Sequence, residues 1–240
     1  MEGLNAPLEL WVPFPGMIKN DAIIITNTLI VVALIFILSF LATRRMSVKS
    51  PRGLQNIFEM VIDWLVEMLR SLIGRQGARY LPIVASLFLF ILFSNLIGLI
   101  PGFVSPTSNL NTNLALALIV VIFATPYVGI QSLGIKGYLK HKGGPIAFLA
   151  PFVFIFETIG ELARPVSLTV RLFTNIKSGD ILILTLIVVF LGMPYNPLIP
   201  VLSIISMMFA FFVSLVQAYV FAFLAVVYFA GAAGWGEEHA

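Results

Sequence analysis

The sequence contains no cysteine, only two histidines and few charged residues. Charged side chains make up 10% of its 240 residues, whereas soluble domains carry about 25%. The absence of cysteine excludes disulfides, thiolate metal sites and thiol nucleophiles. His141 and His239 have no partner at ligand spacing, so we predict no metal site and no cofactor. So few charges cannot cover the surface of a water-soluble enzyme or of a nucleic-acid-binding module.

Hydrophobic residues make up 60% of the chain and predict an all-α integral membrane protein, with residues 1–240 forming a single membrane domain. An apolar run of about 20 residues can span a bilayer as a helix. The pattern predicts five membrane helices and one amphipathic helix on the membrane surface. The predicted segments are an outer N-terminal segment at 1–21, a span at 22–43, the surface helix at 54–72, spans at 80–100 and 113–135, long helices at 145–193 and 198–230, and a tail at 231–240.

The segment 145–193 is unusually long for a membrane helix. As one helix it would measure about 73 Å, more than twice the thickness of a bilayer core. We therefore expect it either to break in two or to lie strongly tilted.

Basic residues are distributed unevenly among the predicted loops. Seven Lys and Arg lie between Arg44 and Arg79, none lies in residues 101–113, and three lie between Lys136 and Lys142. Because basic loops are retained in the cytoplasm, this alternation predicts an outer N-terminus and a cytoplasmic C-terminal tail.

Six charged residues interrupt the apolar segment 145–193, where charges are costly and usually functional. On a helical wheel, five polar residues fall within about 80° and form one stripe. Asp180 lies on the face opposite Arg171, about 13–14 Å further along the helix, and so belongs to a different polar environment. The stripe consists of Glu157, Glu161, Arg164, Arg171 and Asn175.

Simpler explanations of these charges remain open. Arg171 could reach the membrane interface from the end of a span near residue 170. Glu161 and Arg164, three residues apart, could form a structural ion pair. Asp180 could be an interface residue.

A weaker polar stripe lies on the last helix. Small and hydroxylic residues at such spacing usually indicate close helix packing in membranes. A glutamine among such residues is a more specific signal than the small residues are, because a buried amide needs hydrogen-bond partners. The stripe comprises Ser206, Ala210, Ser214 and Gln217.

Several motifs together resemble subunit a of F-type ATP synthases. Arg171-Leu-Phe-Thr-Asn175, preceded by Arg164-Pro-Val-Ser-Leu168, is similar to the family's Lys-Pro-Leu-Ser-Leu…Arg-Leu-Phe-Gly-Asn signature. Thr174 and Arg164 depart from that pattern, which has Gly and Lys at these positions. The order and spacing of the motifs fit the family from about residue 20 onwards. Three further stretches agree, namely 95–101, 105–117 and 217–224.

The resemblance implies an ion-translocating stator subunit, which is not an enzyme by itself. Such a subunit provides two offset half-channels to a rotating ring of c subunits and couples proton flow to rotation. The two long helices would form the family's tilted hairpin around the ring. The implied partners are the c-ring, the peripheral-stalk b subunits and membrane lipid, without nucleic acid. The carried ion would be H⁺, with Na⁺ also possible, across a bacterial inner membrane.

The resemblance also implies which residues serve ion transfer. Arg171 would face the ring carboxylate, and Glu157 would lie in the cytoplasmic half of the proton path. The outer half would include Asn175 and Gln217, with Asp180 in place of a more usual Glu. The remaining candidates on the polar stripes are Glu161, Ser206 and Ser214.

Two other functions remain open. A stand-alone proton channel or ion-coupled transporter would conduct ions when the chain is reconstituted alone. In a structural membrane scaffold, neutralising Arg171 would reduce folding and leave transport by the assembled complex unaffected.

Overall fold

Helices form all of the regular structure in the part of the chain that the structure describes. A computed structural model describes residues 19–44, 53–100, 102–142, 150–191 and 198–234. The all-α class is confirmed for these residues, whereas most of the predicted outer segment and of the predicted tail lie outside them. The α-helices are α1 (Lys19–Thr43), α2 (Leu54–Ile73), α3 (Leu81–Ile97), α4 (Leu110–Leu118), α5 (Thr125–Lys142), α6 (Ala150–Leu191) and α7 (Leu198–Ala232).

Several described helical stretches are long and apolar enough to cross a membrane, as expected of an integral membrane protein. α6 is not among them, and it carries six charged residues along its 42 positions. The count of five spans plus one surface helix therefore stays a prediction. The four qualifying stretches are Ala22–Thr43, Arg75–Ile97, Leu110–Lys140 and Ile204–Ala232.

α6 is one continuous helix of 42 residues, which corresponds to a length of about 63 Å. Over the described part of segment 145–193, residues 150–191, the helix is therefore unbroken. Pro165 lies inside the helix. Because proline has no backbone N–H, the carbonyl of Glu161 loses its helical donor at this point.

α4 continues into α5 through a π-helical stretch, Ile119–Ala124. The backbone N–H and the hydroxyl of Thr125 both donate to the carbonyl of Val120, five residues earlier. The following residue, Pro126, has no N–H, so the α-helical ladder is interrupted there in any case. α4 packs chiefly against α6, and α5, which is kinked at Gly134, packs against α7, so these two helices connect the two long helices.

The hydrophobic core lies mainly between α3 and α7, with α2 packed on their side. α2 inserts Trp64 beside Phe88 of α3 and Tyr219 of α7, with ring centroids 5.7 and 5.4 Å apart. α2 buries Leu65, Leu69 and Ile73 in the core and exposes most of its charged residues, as expected of an amphipathic helix. α6 packs against α4 and α7 and leaves its other face uncovered, and this face holds the candidate site.

Candidate functional site

The side chain of Arg171 lies on the uncovered face of α6, beside both aliphatic and hydroxylic side chains. Arg171 is exposed, and so are Ser167, Val170 and Thr174, whereas Leu172 is fully buried in the core. Within the described residues, the guanidinium makes no hydrogen bond and no ion pair. In that part of the chain, the site therefore presents a cation without an ionic partner on an exposed helix face.

A cavity of about 500 Å³, with several polar groups in a mostly apolar lining, lies beside the next turn of α6. It is bounded by the end of α3, by residues 103–108, by residues 175–179 of α6 and by residues 209–217 of α7. Of the α6 residues that line the cavity, Asn175 is the one nearest to Arg171, about 6 Å further along the helix. The predicted path residues that line this cavity are Asn175, Ser214 and Gln217.

Two amide side chains connect α6 and α7 at this cavity. Asn175 donates from Nδ2 to Oε1 of Gln217. Gln217 is only 3% exposed, and its Nε2 has no partner among the described residues. A buried donor that lacks an acceptor costs about 1–3 kcal/mol. The cavity is large enough to admit water, which would supply that acceptor.

Polar residues that sequence reasoning did not select as site residues form the opposite wall of the cavity. Thr107 donates from its hydroxyl to Oδ1 of Asn95, at 2.6 Å, and Ser105 donates to the carbonyl of Ser94, at 2.7 Å. These bonds anchor the loop after α3, and Asn95 and Ser105 face the cavity. An asparagine inside the apolar span 80–100 was the available signal, because buried polar groups in membrane segments are costly.

The two glutamates of the stripe lie toward the other end of α6. They are ten and fourteen residues before Arg171, or about 15 and 21 Å along the helix. Glu161 forms a salt bridge with Lys142 of α5, so the ion pair considered for Glu161 and Arg164 is not the one found. The guanidinium of Arg164 instead lies 3.6 Å from Oε1 of Glu157.

Two further predicted residues are Ser206 and Asp180. Ser206 is 5% exposed and lies outside the cavity lining. Asp180 belongs to α6, but its side chain lies outside the described residues. In the described ranges, no three His, Asp or Glu side chains come together as a metal site would require.

Replacing either partner of the Lys142–Glu161 pair is expected to destabilise the fold. Burial disfavours the ammonium of Lys142, but the hydrogen bonds and charge interactions with Glu161 and Tyr138 together outweigh it, so the pKa of Lys142 lies above its ordinary value. We expect Lys142→Met and Glu161→Gln each to lower the free energy of unfolding by about 1 kcal/mol. The double variant should lose little more than either single one.

The midpoint of heat inactivation of the detergent-solubilised complex measures this effect. Because the pKa of Lys142 is raised in the fold, the contribution is complete below about pH 10.5 and is lost as the pH rises through the raised value. Lys140→Met is the control, since Lys140 is exposed and lies two residues away. Fully additive losses in the double variant would contradict the pair.

A family model described as ATP synthase A chain matches residues 25–230. The chain belongs to this family. It is 43% identical over 208 residues to ATP synthase subunit a 3 of Pelobacter propionicus, covering 86% of each chain. It is 44% identical over 211 residues to ATP synthase subunit a of Trichlorobacter lovleyi, covering 88% of this chain and 86% of the relative. It is 41% identical over 190 residues to ATP synthase subunit a of Aquifex aeolicus, covering 79% of this chain and 87% of the relative.

Membership in the ATP synthase A chain family confirms the resemblance predicted from the motifs. It also confirms the predicted class, a membrane-embedded proton-translocating subunit that is distinct from the catalytic subunits. The roles of individual residues stay predictions.

Proposed function

We propose that this chain is the stationary subunit that passes protons to and from a ring of c subunits beside Arg171. The observation that supports this role is an exposed guanidinium on the uncovered face of α6, without an ionic partner among the described residues. A cation facing lipid is costly. This face therefore requires a covering partner that brings a negative charge, and a ring of membrane carboxylates meets that requirement.

Electrostatics explains what Arg171 does to such a carboxylate. Opposite charges about 4 Å apart, at an effective dielectric constant near 20, attract by about 4 kcal/mol. The attraction favours the deprotonated carboxylate beside Arg171, while elsewhere lipid favours the neutral form. Each ring carboxylate therefore releases its proton as it approaches the arginine and binds another after leaving it. The fixed cation also repels protons and prevents a direct leak between the two sides.

The outer half of the path is assigned to this cavity. Its amide groups, Asn175 and Gln217, begin one turn of α6 beyond Arg171, and Ser214 lines the same space. These side chains can hydrogen-bond to a chain of water molecules, and Lys177 adds a cation to the same lining. Asp180 is assigned to this side as well, from its place in the family motif.

The inner half of the path is assigned to Glu157. It lies on the opposite side of Arg171 from the cavity, about 21 Å away along α6, and 45% of its side chain is exposed. Glu161 is engaged with Lys142 and serves chiefly to hold α6 against α5. The two half-paths thus open at different positions along one helix, as offset access requires.

The distribution of basic residues supports an orientation with the N-terminus outside and the C-terminus in the cytoplasm of a bacterial inner membrane. In that orientation the cavity faces outward, since it is lined by residues of the neutral 101–113 loop. A continuous α6 of about 63 Å would have to tilt strongly to fit a core of about 30 Å. The peripheral-stalk b subunits are the further partners that we propose.

Purified complex in lipid vesicles provides the test. We expect ATP synthesis driven by an imposed proton gradient, at the same rate with and without sodium. Vesicles that contain this chain without the c-ring should show no increase in proton conductance over empty vesicles. Conductance by the chain alone would instead support a stand-alone channel, and a strict requirement for sodium would replace H⁺ by Na⁺ as the carried ion.

A further inference from the structure

Two cations in or beside the N-terminal half of α6 are each held between a glutamate of that helix and a tyrosine of another helix. The guanidinium carbon of Arg164 lies 5.0 Å from the ring centroid of Tyr228 on α7. The ammonium of Lys142, which is paired with Glu161, lies 5.1 Å from the ring centroid of Tyr138. Cations at this distance over a ring face are attracted by its quadrupole.

Arg164 has two described contacts, with Glu157 and with the ring of Tyr228, and the contact with the ring is the stronger one. The closest approach to Glu157 is 3.6 Å, which is too long for a hydrogen bond, and the two side chains are 31% and 45% exposed. Solvent screens such a pair, and exposed ion pairs contribute little. The ring of Tyr228 is half-buried, so its attraction for the guanidinium is screened less.

The ring itself is fixed by the hydrophobic core. Tyr228 packs against the core cluster, and its neighbours Val226 and Phe229 are fully buried. Pro165 interrupts the helical hydrogen bonds of α6 directly after Arg164, so the backbone there is held less tightly. The position of the guanidinium therefore depends on a side-chain contact with α7.

We propose that Tyr228 is a positioning residue for the inner proton path, with its ring face holding Arg164 beside Glu157. The inference rests on the proposed function, in which Glu157 lies in that path. Without the ring, the guanidinium can close onto the carboxylate or move into the path, and either movement slows proton exchange. Tyr228 acts through Arg164 and contacts neither the proton nor the c-ring carboxylate.

Substitutions at residue 228 test the contact in the complete complex, in inverted membrane vesicles. ATP-driven proton pumping per assembled complex should fall about two- to fivefold in Tyr228→Leu, and Tyr228→Phe should restore most of it. The matched control is Tyr219→Leu. Tyr219 lies on α7 as well, where it packs against Trp64 of α2 and stacks on Phe223, with no cation over its ring among the described residues. A Tyr228→Leu rate equal to that of the unmodified complex would overturn the proposal.

Fluorinated phenylalanines at residue 228 separate the ring's electrostatics from its packing. Fluorine withdraws electron density from the ring face and changes the shape of the side chain only slightly. The pumping rate should therefore fall stepwise with one, two and three fluorines, because the cation–ring attraction weakens. Equal rates across the series would show that the ring only fills space, and would overturn the positioning role.

A parallel measurement separates this inference from the proposed function. ATP synthesis that persists in Arg171→Ala would refute the proposed function, and the role of Tyr228 would fail with it. Loss of synthesis in Arg171→Ala, combined with equal rates across the fluorinated series, would refute the role of Tyr228 alone.

Discussion

Arg171→Ala is expected to abolish ATP synthesis while the complex still assembles. Removing the guanidinium removes an attraction of about 4 kcal/mol for the ring carboxylate, which corresponds to roughly a thousandfold change in an equilibrium constant. The side chain is exposed and has no partner among the described residues, so its loss should leave folding unchanged. The measurement is ATP synthesis by inverted vesicles energised by respiration, normalised to the amount of complex by immunoblot.

Two further variants make the Arg171 result specific. Arg171→Lys retains the charge without the planar guanidinium and should retain more activity than the alanine variant. Arg70→Ala removes another exposed arginine, at the end of α2, and should leave synthesis unchanged. Normal synthesis by Arg171→Ala would refute the assignment of the site, and loss of the subunit from the membrane would favour the structural scaffold.

Gln217→Leu is expected to lower the rate of ATP synthesis about tenfold or more. The substitution removes the acceptor of Asn175 and leaves that amide, now facing an apolar side chain, without its bond to α7. An unmet buried hydrogen bond costs about 1–3 kcal/mol, and a cavity with less polar lining holds water less well. Both effects act on the same polar space between α6 and α7.

The imposed gradient reveals where the Gln217 variant is slowed. Raising the outer proton concentration should recover part of the lost rate, because proton entry from that side limits the variant. Gln131→Leu is the matched control, since Gln131 is exposed on α5, away from the cavity lining. A Gln217→Leu complex that synthesises ATP at the normal rate would exclude this cavity from the proton path.

The helical wheel predicted the polar stripe of α6, but it did not predict which of its residues are exposed and which contact α7. Arg171 and Asn175 lie one turn apart on that stripe, yet Arg171 is exposed while Asn175 turns toward Gln217. The difference depends on where α7 crosses α6, which a single-helix pattern does not contain. The fold class and the helical content could be predicted from composition, because long apolar runs and a low number of charges are visible in the sequence without knowledge of tertiary contacts.

Tertiary contacts explain what the sequence did not predict. The local spacing allowed an ion pair between Glu161 and Arg164. Glu161 instead pairs with Lys142, which lies nineteen residues earlier on another helix. Asn95 and Ser105 could be recognised as polar, but their place in a shared cavity requires α3 and α6 to meet. The contact of Arg164 with Tyr228 spans 64 positions of the chain and has no local signal.

The π-helical stretch Ile119–Ala124 lies directly before the part of α5 that meets α7. A π turn absorbs one extra residue while the flanking helices keep their phase. A further inserted residue that the turn does not absorb would rotate α5 by about 100° relative to α4. Gly129 would then leave α7, where a Cβ on it would lie 2.9 Å from the carbonyl of Ala232, so a single-residue insertion in this stretch should be more harmful than most substitutions.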